Sequence, residues 1–260
     1  MGEARPDDAM AAYVELLEGA RADPAVVGVV VFGSRAVDAY ITSTSDVDCF
    51  VILAGTAEAP ARWQRPHGSV VEVWPLTLDA FRTHAEAGTE TAWNRPSLIQ
   101  ARVDLDKLDG EIAAVVDAKR RLRPDEVGAL VDTALDTAIN SLYRALKSAE
   151  NGFELASRLD GVEAISPLLT TAFALEGRVR PWNKWLEREL EREPLMTSDF
   201  APLLELVRGL ATNPSPARLR EAFGVLERPA RIAGHGAIVD GWEPDVAWLR
   251  GEAPYRAPRT

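Results

Sequence analysis

One stretch of the sequence, VVGVVVFGS at residues 26–34, decides how the first half of the chain folds. The part that ends at Phe32 is a short, continuous, β-branched run, which is typical of a strand buried on both faces. Gly33 and Ser34 then end the run, because glycine and serine favour turns. The stretch therefore predicts an inner strand of a sheet that ends in an exposed turn.

Strands and helices alternate on both sides of this stretch. Further strands are predicted over 46–53, 69–76 and 98–105, and helices over 10–20, 78–87 and 111–122. Such alternation is typical of an α/β or α+β unit built around a mixed sheet with flanking helices. We expect this domain to cover residues 1–123.

Strand signals end at Arg123-Pro124. The next segment, 125–150, carries apolar residues at spacings of three and four, which predicts one long helix. Further helices are predicted over about 153–159, 162–175, 183–193, 199–210 and 217–226. At 260 residues the chain has room for two modest domains, so we expect a helical bundle over residues 124–260.

Composition restricts the classes of function. Hydrophobic residues make up 47% of the chain and charged residues 27%, which is ordinary for a folded soluble protein. The formal charge of −11 repels phosphate backbones, so nucleic acid is disfavoured as a partner and a cationic small molecule is favoured. No membrane-spanning segment or secretory signal is evident, so we expect a cytoplasmic protein. The single cysteine, Cys49, excludes an intrachain disulfide.

Gly33 and Ser34 have the properties of a phosphate-binding turn. Glycine lets a ligand approach the main chain closely, and the serine amide and hydroxyl can both donate to phosphate oxygens. A lone Gly-Ser pair marks many ordinary turns, so its neighbours decide its weight. The next residue, Arg35, could neutralise a bound phosphate, or it could be a solvated or structurally paired arginine.

Two aspartates introduce the second predicted strand. Asp46 and Asp48 directly precede the apolar run that ends at Leu53, and strand alternation places both on one face. Adjacent carboxylates repel each other, and a divalent cation would resolve that repulsion. Carboxylate oxygens suit Mg²⁺, which takes its remaining ligands from waters and substrate phosphates. The alternative is a solvated turn before a strand.

A third carboxylate, Glu72, lies in the next strand among apolar neighbours, where a charge is costly unless it is paired or bound to metal. If this strand lies beside the strand of Asp46, Glu72 can complete a second metal site or take the proton from an attacking hydroxyl. The alternative is an exposed glutamate on an edge strand. We assign no role to His67, His84 and His235, which are scattered along the chain.

Two lysines of the helical half are candidate phosphate ligands. Lys147 shares a helix face with Tyr143 and Arg144, where the alternative is an ordinary surface stripe. Lys184 lies in the basic and tryptophan-rich segment 178–185, where the alternative is an interdomain packing corner.

Gly-Ser, then Asp-x-Asp at a strand, then a single acid on the following strand resembles the DNA polymerase beta-like nucleotidyltransferase superfamily. The matching region covers about residues 26–76. The resemblance implies that Gly33 and Ser34 bind nucleotide phosphates, that Asp46 and Asp48 hold metal, and that Glu72 ligates metal or acts as the base. Size and a helical second half are similar to those of bacterial nucleotidyltransferases of the aminoglycoside and lincosamide kinds. This similarity implies that the helical domain over 124–260 binds the acceptor, and that the role is antibiotic resistance, with biosynthesis as the alternative.

The resemblance implies transfer of a nucleoside monophosphate from ATP, or another nucleoside triphosphate, to a hydroxyl of a small-molecule acceptor. Two Mg²⁺ ions would be required and pyrophosphate would leave. One alternative is an antitoxin-like regulatory protein that keeps the fold without turnover. Another is a transferase acting on nucleic acid or protein. This carboxylate pattern is also compatible with a site shared across a homodimer.

Overall fold

The computed structural model describes residues 6–55, 60–65 and 68–255. It divides into two compact units, with the division between Arg121 and Leu122, and each unit is described by itself. His67 and the first five residues, which bear on the histidine and secretory-signal predictions, lie outside the described residues. The predicted fold class is confirmed: a mixed α/β unit is followed by a helical one.

The first unit contains four strands and three α-helices among its described residues. In chain order these are α1 (Pro6–Ala22), β1 (Val26–Phe32), β2 (Val47–Leu53), β3 (Val71–Thr77), α2 (Leu78–Thr83), β4 (Arg102–Asp106) and α3 (Glu111–Lys119). Short 3-10 helices cover Gly33–Ala36, Ala61–Trp63 and Ala92–Leu98.

The four strands form one sheet in the order β3-β2-β1-β4. β1 is antiparallel to both of its neighbours, whereas β2 and β3 run parallel. Every residue of β1 is buried, which confirms the inner strand predicted from its β-branched run. Because β1 runs opposite to β2 and β3, its C-terminal end lies beside the N-terminal ends of those two strands.

Both faces of the sheet are covered. α1 packs on one face, where Tyr13 and Leu16 join Cys49 and other strand residues in a buried cluster. The second face packs against Phe81 of α2 and Ile112 of α3. Residues that alternate along each strand therefore enter two separate apolar layers.

Two predicted elements of the first unit were wrong in part. The strand predicted over 98–105 begins only at Arg102. Leu98 ends a 3-10 helix, and its apolar side chain is buried in the core without belonging to a strand. The helix predicted over 78–87 ends at Thr83. His84 is extended there and Ala85 has a left-handed φ of 63°, which no continuing α-helix can accommodate.

The second unit is helical, as predicted. Its helices are α4 (Pro124–Glu150), α5 (Glu154–Glu163), α6 (Ile165–Leu175), α7 (Leu186–Arg192), α8 (Leu203–Thr212), α9 (Pro216–Ile232), α10 (Gly236–Asp240) and α11 (Val246–Leu249). One large apolar cluster joins the buried faces of α4, α6, α8 and α9.

Several helices of this unit begin or end at other residues than predicted; the helix predicted over 199–210, for example, begins at Leu203. Gly161 does not end a helix but lies inside α5, where an added Cβ would come within 2.6 Å of a Pro214 side-chain atom. Glycine is therefore required there for close packing. α9 continues through Pro229 to Ile232, beyond the predicted end at Leu226. Pro229 has no N–H to donate to the carbonyl oxygen of Val225, so the helix continues with one backbone hydrogen bond missing.

Candidate active site

The turn after β1 brings the main chain against a carboxylate. Gly33 has a φ of +73°, and a Cβ built on it would lie 2.9 Å from Oδ2 of Asp48. Glycine is thus favoured twice, by its left-handed backbone and by the approach of Asp48. Ser34 follows in the 3-10 helix Gly33–Ala36 and is partly exposed. The predicted phosphate-binding turn therefore lies directly beside the predicted metal ligands.

The parallel pairing of β2 with β3 places Asp48 and Glu72 side by side in register. Asp46 precedes β2 by one residue. Ligand oxygens of the three carboxylates all lie within 4.8 Å of one another, and all three residues are half-buried. The backbone N–H of Gly68 donates to Oε1 of Glu72 at 2.8 Å. The structure thus brings together the acids that the sequence singled out, while their roles stay predictions.

The set of donor atoms fits a hard divalent cation. Three carboxylates gathered at this spacing repel one another, and a cation between them would remove that repulsion. Their partial exposure leaves room for the water and phosphate ligands that Mg²⁺ prefers. The triad of Asp46, Asp48 and Glu72 could therefore hold a metal ion.

The structure also answers the question left open about Glu72. β3 is an edge strand of the sheet, and Glu72 is half-buried in it. Its position beside Asp48, however, distinguishes it from an ordinary solvated glutamate on an edge. The edge location leaves the acid accessible to a substrate from one side.

Arg35 is buried, with 7% of its surface exposed. Its Nη2 donates to the carbonyl oxygen of Ser45 at 3.4 Å, so it links the turn after β1 to the residue before Asp46. Nη1 of Arg102 donates in turn to the carbonyl oxygens of Arg35 and Ala36. These contacts indicate that Arg35 positions the site, and its proposed contact with phosphate stays a prediction.

Cys49 faces away from the carboxylates and lies in the buried layer beneath α1. Burial, with a further contribution from the charge of Asp48, raises the pKa of its thiol to about 12. The thiol is therefore protonated at neutral pH and does not act as a metal ligand.

The two candidate lysines belong to the second unit. Nζ of Lys147 lies 5.7 Å from the ring centroid of Tyr143 and 5.9 Å from that of Tyr255. Nζ of Lys184 lies 5.3 Å from the ring centroid of Trp185. These are cation–π distances, which accommodate the lysine charges without a phosphate. The assignment of Lys147 and Lys184 to nucleotide binding stays a prediction.

An aromatic group beside the acids was not anticipated from the sequence. Phe50 and Trp74 follow Asp48 and Glu72 by two residues each, on the same sheet face. Their rings lie 6.1 Å apart, and the Phe32 ring lies 4.7 Å from Phe50. Strand alternation, applied to the residues after each acid, could have found this group.

Replacing Gly33 by alanine should separate backbone strain from damage to the site. An alanine with a left-handed backbone conformation costs about 1–2 kcal/mol of stability. At residue 33 its Cβ must also displace the carboxylate of Asp48. We expect a lower melting temperature together with Mg²⁺ or Mn²⁺ affinity weakened by about tenfold, a loss of roughly 1.4 kcal/mol of binding free energy. Thermal unfolding and calorimetric titration measure the two effects.

Gly88 provides the matched control, because it has a φ of +79° with no atom within 4 Å of an added Cβ. Gly88→Ala should show a similar loss of stability with unchanged metal affinity. Equal metal affinity in wild type and Gly33→Ala would show that Asp48 is not held in place for a cation.

The comparisons with known proteins give limited information. No family profile matches the chain, and no curated protein matches it. Among solved structures, the chain is similar to a nucleotidyltransferase-like protein from Exiguobacterium sibiricum 255-15, with 14% sequence identity over 88% of this chain and 77% of that chain and a TM-score of 0.46. Within the described parts of the chain, every helix is too short or too polar to cross a membrane. Function must therefore be argued from the site.

Proposed function

We propose that the protein is a Mg²⁺-dependent nucleotidyltransferase that moves a nucleoside monophosphate, AMP from ATP, to a hydroxyl group of a small-molecule acceptor. The observation that supports this best is the carboxylate triad. Ligand oxygens of Asp46, Asp48 and Glu72 lie within 4.8 Å of one another, beside the turn at Gly33 that follows the C-terminal end of β1. The residues that we propose as phosphate ligands and as metal ligands are thus neighbours, as phosphoryl transfer requires.

In the proposed reaction the acceptor oxygen bonds to the α-phosphorus as the bond to the pyrophosphate oxygen breaks. The backbone amides of Gly33 and Ser34 would hold the triphosphate. Asp46 and Asp48 would be the ligands of Mg²⁺. Bound Mg²⁺ supplies charge neutralisation at the triphosphate and lowers the pKa of a ligated hydroxyl.

Glu72 is the base we propose, because it is half-buried on an edge strand and within the triad. Its carboxylate would take the proton from the acceptor hydroxyl and hold that oxygen near the α-phosphorus. Asp48 approaches Gly33, where the triphosphate would be held, so it would serve as a metal ligand. The two neighbouring acids therefore receive different roles.

For the acceptor we propose an aminoglycoside-type antibiotic, with a role in resistance in the cytoplasm. The formal charge of −11 supports this, since an acidic protein attracts cationic small molecules and repels nucleic acid. A lincosamide or another hydroxyl compound is the natural comparison. A homodimer that shares the site is compatible with the proposal.

The test is pyrophosphate release, measured with each of the four common nucleoside triphosphates over a panel of aminoglycosides, lincosamides and control hydroxyl compounds. We expect release that needs one triphosphate, one acceptor class and Mg²⁺. Removal of metal with EDTA should abolish it and added Mg²⁺ should restore it, because three carboxylates repel a triphosphate unless a cation lies between them.

Release that persists in EDTA would contradict the metal mechanism. Absence of release across the panel, with nucleotide binding still measurable, would instead favour a regulatory protein that binds nucleotide without turnover.

A further inference from the structure

Trp93 is exposed in a segment that is otherwise well anchored. It lies in the 3-10 helix Ala92–Leu98 with 56% of its surface exposed, whereas the next residues, Asn94 and Arg95, are 2% and 6% exposed. An isolated exposed tryptophan is common on protein surfaces. The contacts around Trp93 distinguish it from that ordinary case.

Side-chain hydrogen bonds from the buried side of the 3-10 helix Ala92–Leu98 hold it in place. Nδ2 of Asn94 donates to Nε2 of His84 at 2.9 Å, and the Ser97 hydroxyl donates to Oδ1 of Asn94 at 2.6 Å. The guanidinium of Arg95 donates to the carbonyl oxygens of Lys119 and Arg121 at 3.1 and 2.5 Å. The backbone that carries Trp93 is therefore held before any ligand arrives.

His84 is suited to this anchoring role. Burial, and then the charge of Lys119, lower the pKa of its imidazole. The ring is consequently neutral at pH 7 and can accept the amide hydrogen of Asn94. It also packs edge-on against Phe50, with the ring centroids 5.0 Å apart.

A continuous row of rings connects Trp93 to the carboxylates. The Trp93 ring lies 6.3 Å from Trp74, and Trp74 lies 6.2 Å from Phe32 and 6.1 Å from Phe50. Trp74 follows Glu72 by two residues on the same face of β3, a spacing of about 7 Å. A ligand that reacts at the triad is therefore within reach of the Trp93 ring.

The two tryptophans of the row, Trp93 and Trp74, lie on the β3 side of the triad. Trp74 and Glu72 share β3, whereas Gly33 ends β1, and β2 lies between these two strands. Neighbouring strands are about 4.8 Å apart, so the two sides differ by about 10 Å. A triphosphate held at Gly33 leaves the β3 side for the molecule that receives the nucleotide.

We propose that Trp93, supported by Trp74, is a stacking surface for a flat ring of the acceptor, either an aromatic ring or the apolar face of a sugar. The assignment rests on the proposed function and makes it more specific: the reacting hydroxyl belongs to a ring-bearing molecule. Tryptophan offers a large rigid face, and such stacking contributes strongly to small-ligand affinity. Trp93 is a specificity residue and takes no part in the transfer step.

Kinetics test the assignment once the screen has identified an acceptor. Trp93→Ala should raise KM for the acceptor about tenfold, with KM for the triphosphate and kcat unchanged, and Trp93→Phe should restore most of the affinity. Val14 is the control, because it is 49% exposed on α1, which packs on the opposite face of the sheet; Val14→Ala should leave every constant unchanged. A rise in KM for the triphosphate alone would overturn the assignment.

Fluorine NMR tests the same surface without turnover. In protein labelled with 5-fluorotryptophan, Trp93→Phe identifies the Trp93 signal. Phenyl β-D-glucoside, an aminoglycoside and a lincosamide are then added separately, with acyclic sorbitol and MgATP as comparisons. At least one ring compound should shift the Trp93 signal, whereas sorbitol and MgATP alone should not.

A shift with MgATP alone would place the nucleobase on Trp93 and overturn the acceptor assignment. No shift with any ring compound would overturn the stacking surface itself. Because this readout needs no pyrophosphate release, failure of the proposed reaction and failure of the stacking surface are observed separately.

Discussion

Replacing Asp48 by asparagine should slow pyrophosphate release by about 10³-fold or more, equivalent to roughly 4 kcal/mol of transition-state stabilisation. Asp48 lies between the other parts of the site: it is the register partner of Glu72 across β2 and β3, and its carboxylate approaches Gly33. Asparagine keeps the shape but removes the charge that would hold a cation. Initial rates at saturating substrate, measured with the identified acceptor, give the effect.

Stability should behave in the opposite way. The three acids lie within 4.8 Å of one another, so removing one charge relieves repulsion in the metal-free protein. We expect an unchanged or higher melting temperature for Asp48→Asn without metal, and a smaller increase on adding Mg²⁺ than in wild type. A fall in melting temperature that accounts for the lost rate would assign Asp48 a structural role.

Asp79 supplies the matched control in the same unit. Its side chain is 79% exposed and pairs with Arg82 on α2, beyond the far end of β3. Asp79→Asn changes the net charge equally but breaks only a surface ion pair, which contributes little to stability. Its rate should stay within twofold of wild type. If Asp48→Asn also kept a rate within twofold of wild type, the proposed mechanism would be excluded.

The sequence predicted the carboxylates of the site because their signal is local. Asp46 and Asp48 immediately precede an apolar run, and Glu72 interrupts another, so strand alternation and the cost of a buried charge are sufficient. The parallel register that pairs Asp48 with Glu72 is not local. Many pairings fit the same apolar pattern, and only the complete sheet selects one.

The rest of the site depends on contacts between distant segments. Trp93 gives no signal by itself, because its importance comes from Asn94 bonding to His84 and from Trp74 on another strand. The strand predicted at Leu98 was wrong for a related reason. A short apolar run has the same pattern whether it pairs in a sheet or fills a core beneath it.

In the second unit the sequence singled out the segment 178–185 for its basic residues and tryptophans, either as a phosphate ligand or as a packing corner. The structure shows that its first residue, Arg178, is buried and paired with Glu189 of α7. Periodicity predicted helix around Glu189 but could not predict which arginine would reach it. This ion pair gives the largest stability effect that we expect.

Replacing Glu189 by leucine should destabilise the protein by roughly 3–5 kcal/mol, because it leaves the buried charge of Arg178 without a carboxylate. The two side chains are 5% and 4% exposed, with Nη2 of Arg178 3.1 Å from Oε1 of Glu189. Arg192 also donates to both oxygens of Glu189, at 2.9 Å each. Thermal and urea unfolding should show a melting temperature lower by about 10 °C.

The partner substitutions test the physical reason for this loss. Arg178→Met alone should cost less than Glu189→Leu, because Arg192 still compensates the glutamate. The double variant Arg178→Met/Glu189→Leu should recover much of the stability, since it replaces a buried pair by apolar side chains and leaves no isolated charge. The remaining costs are the bonds from Nη1 of Arg178 to the carbonyl oxygens of Glu193 and Pro194, and the ion pair between Arg192 and Glu189. If the double variant is as unstable as the sum of the single ones, the loss arises from packing and the isolated charge is not its cause.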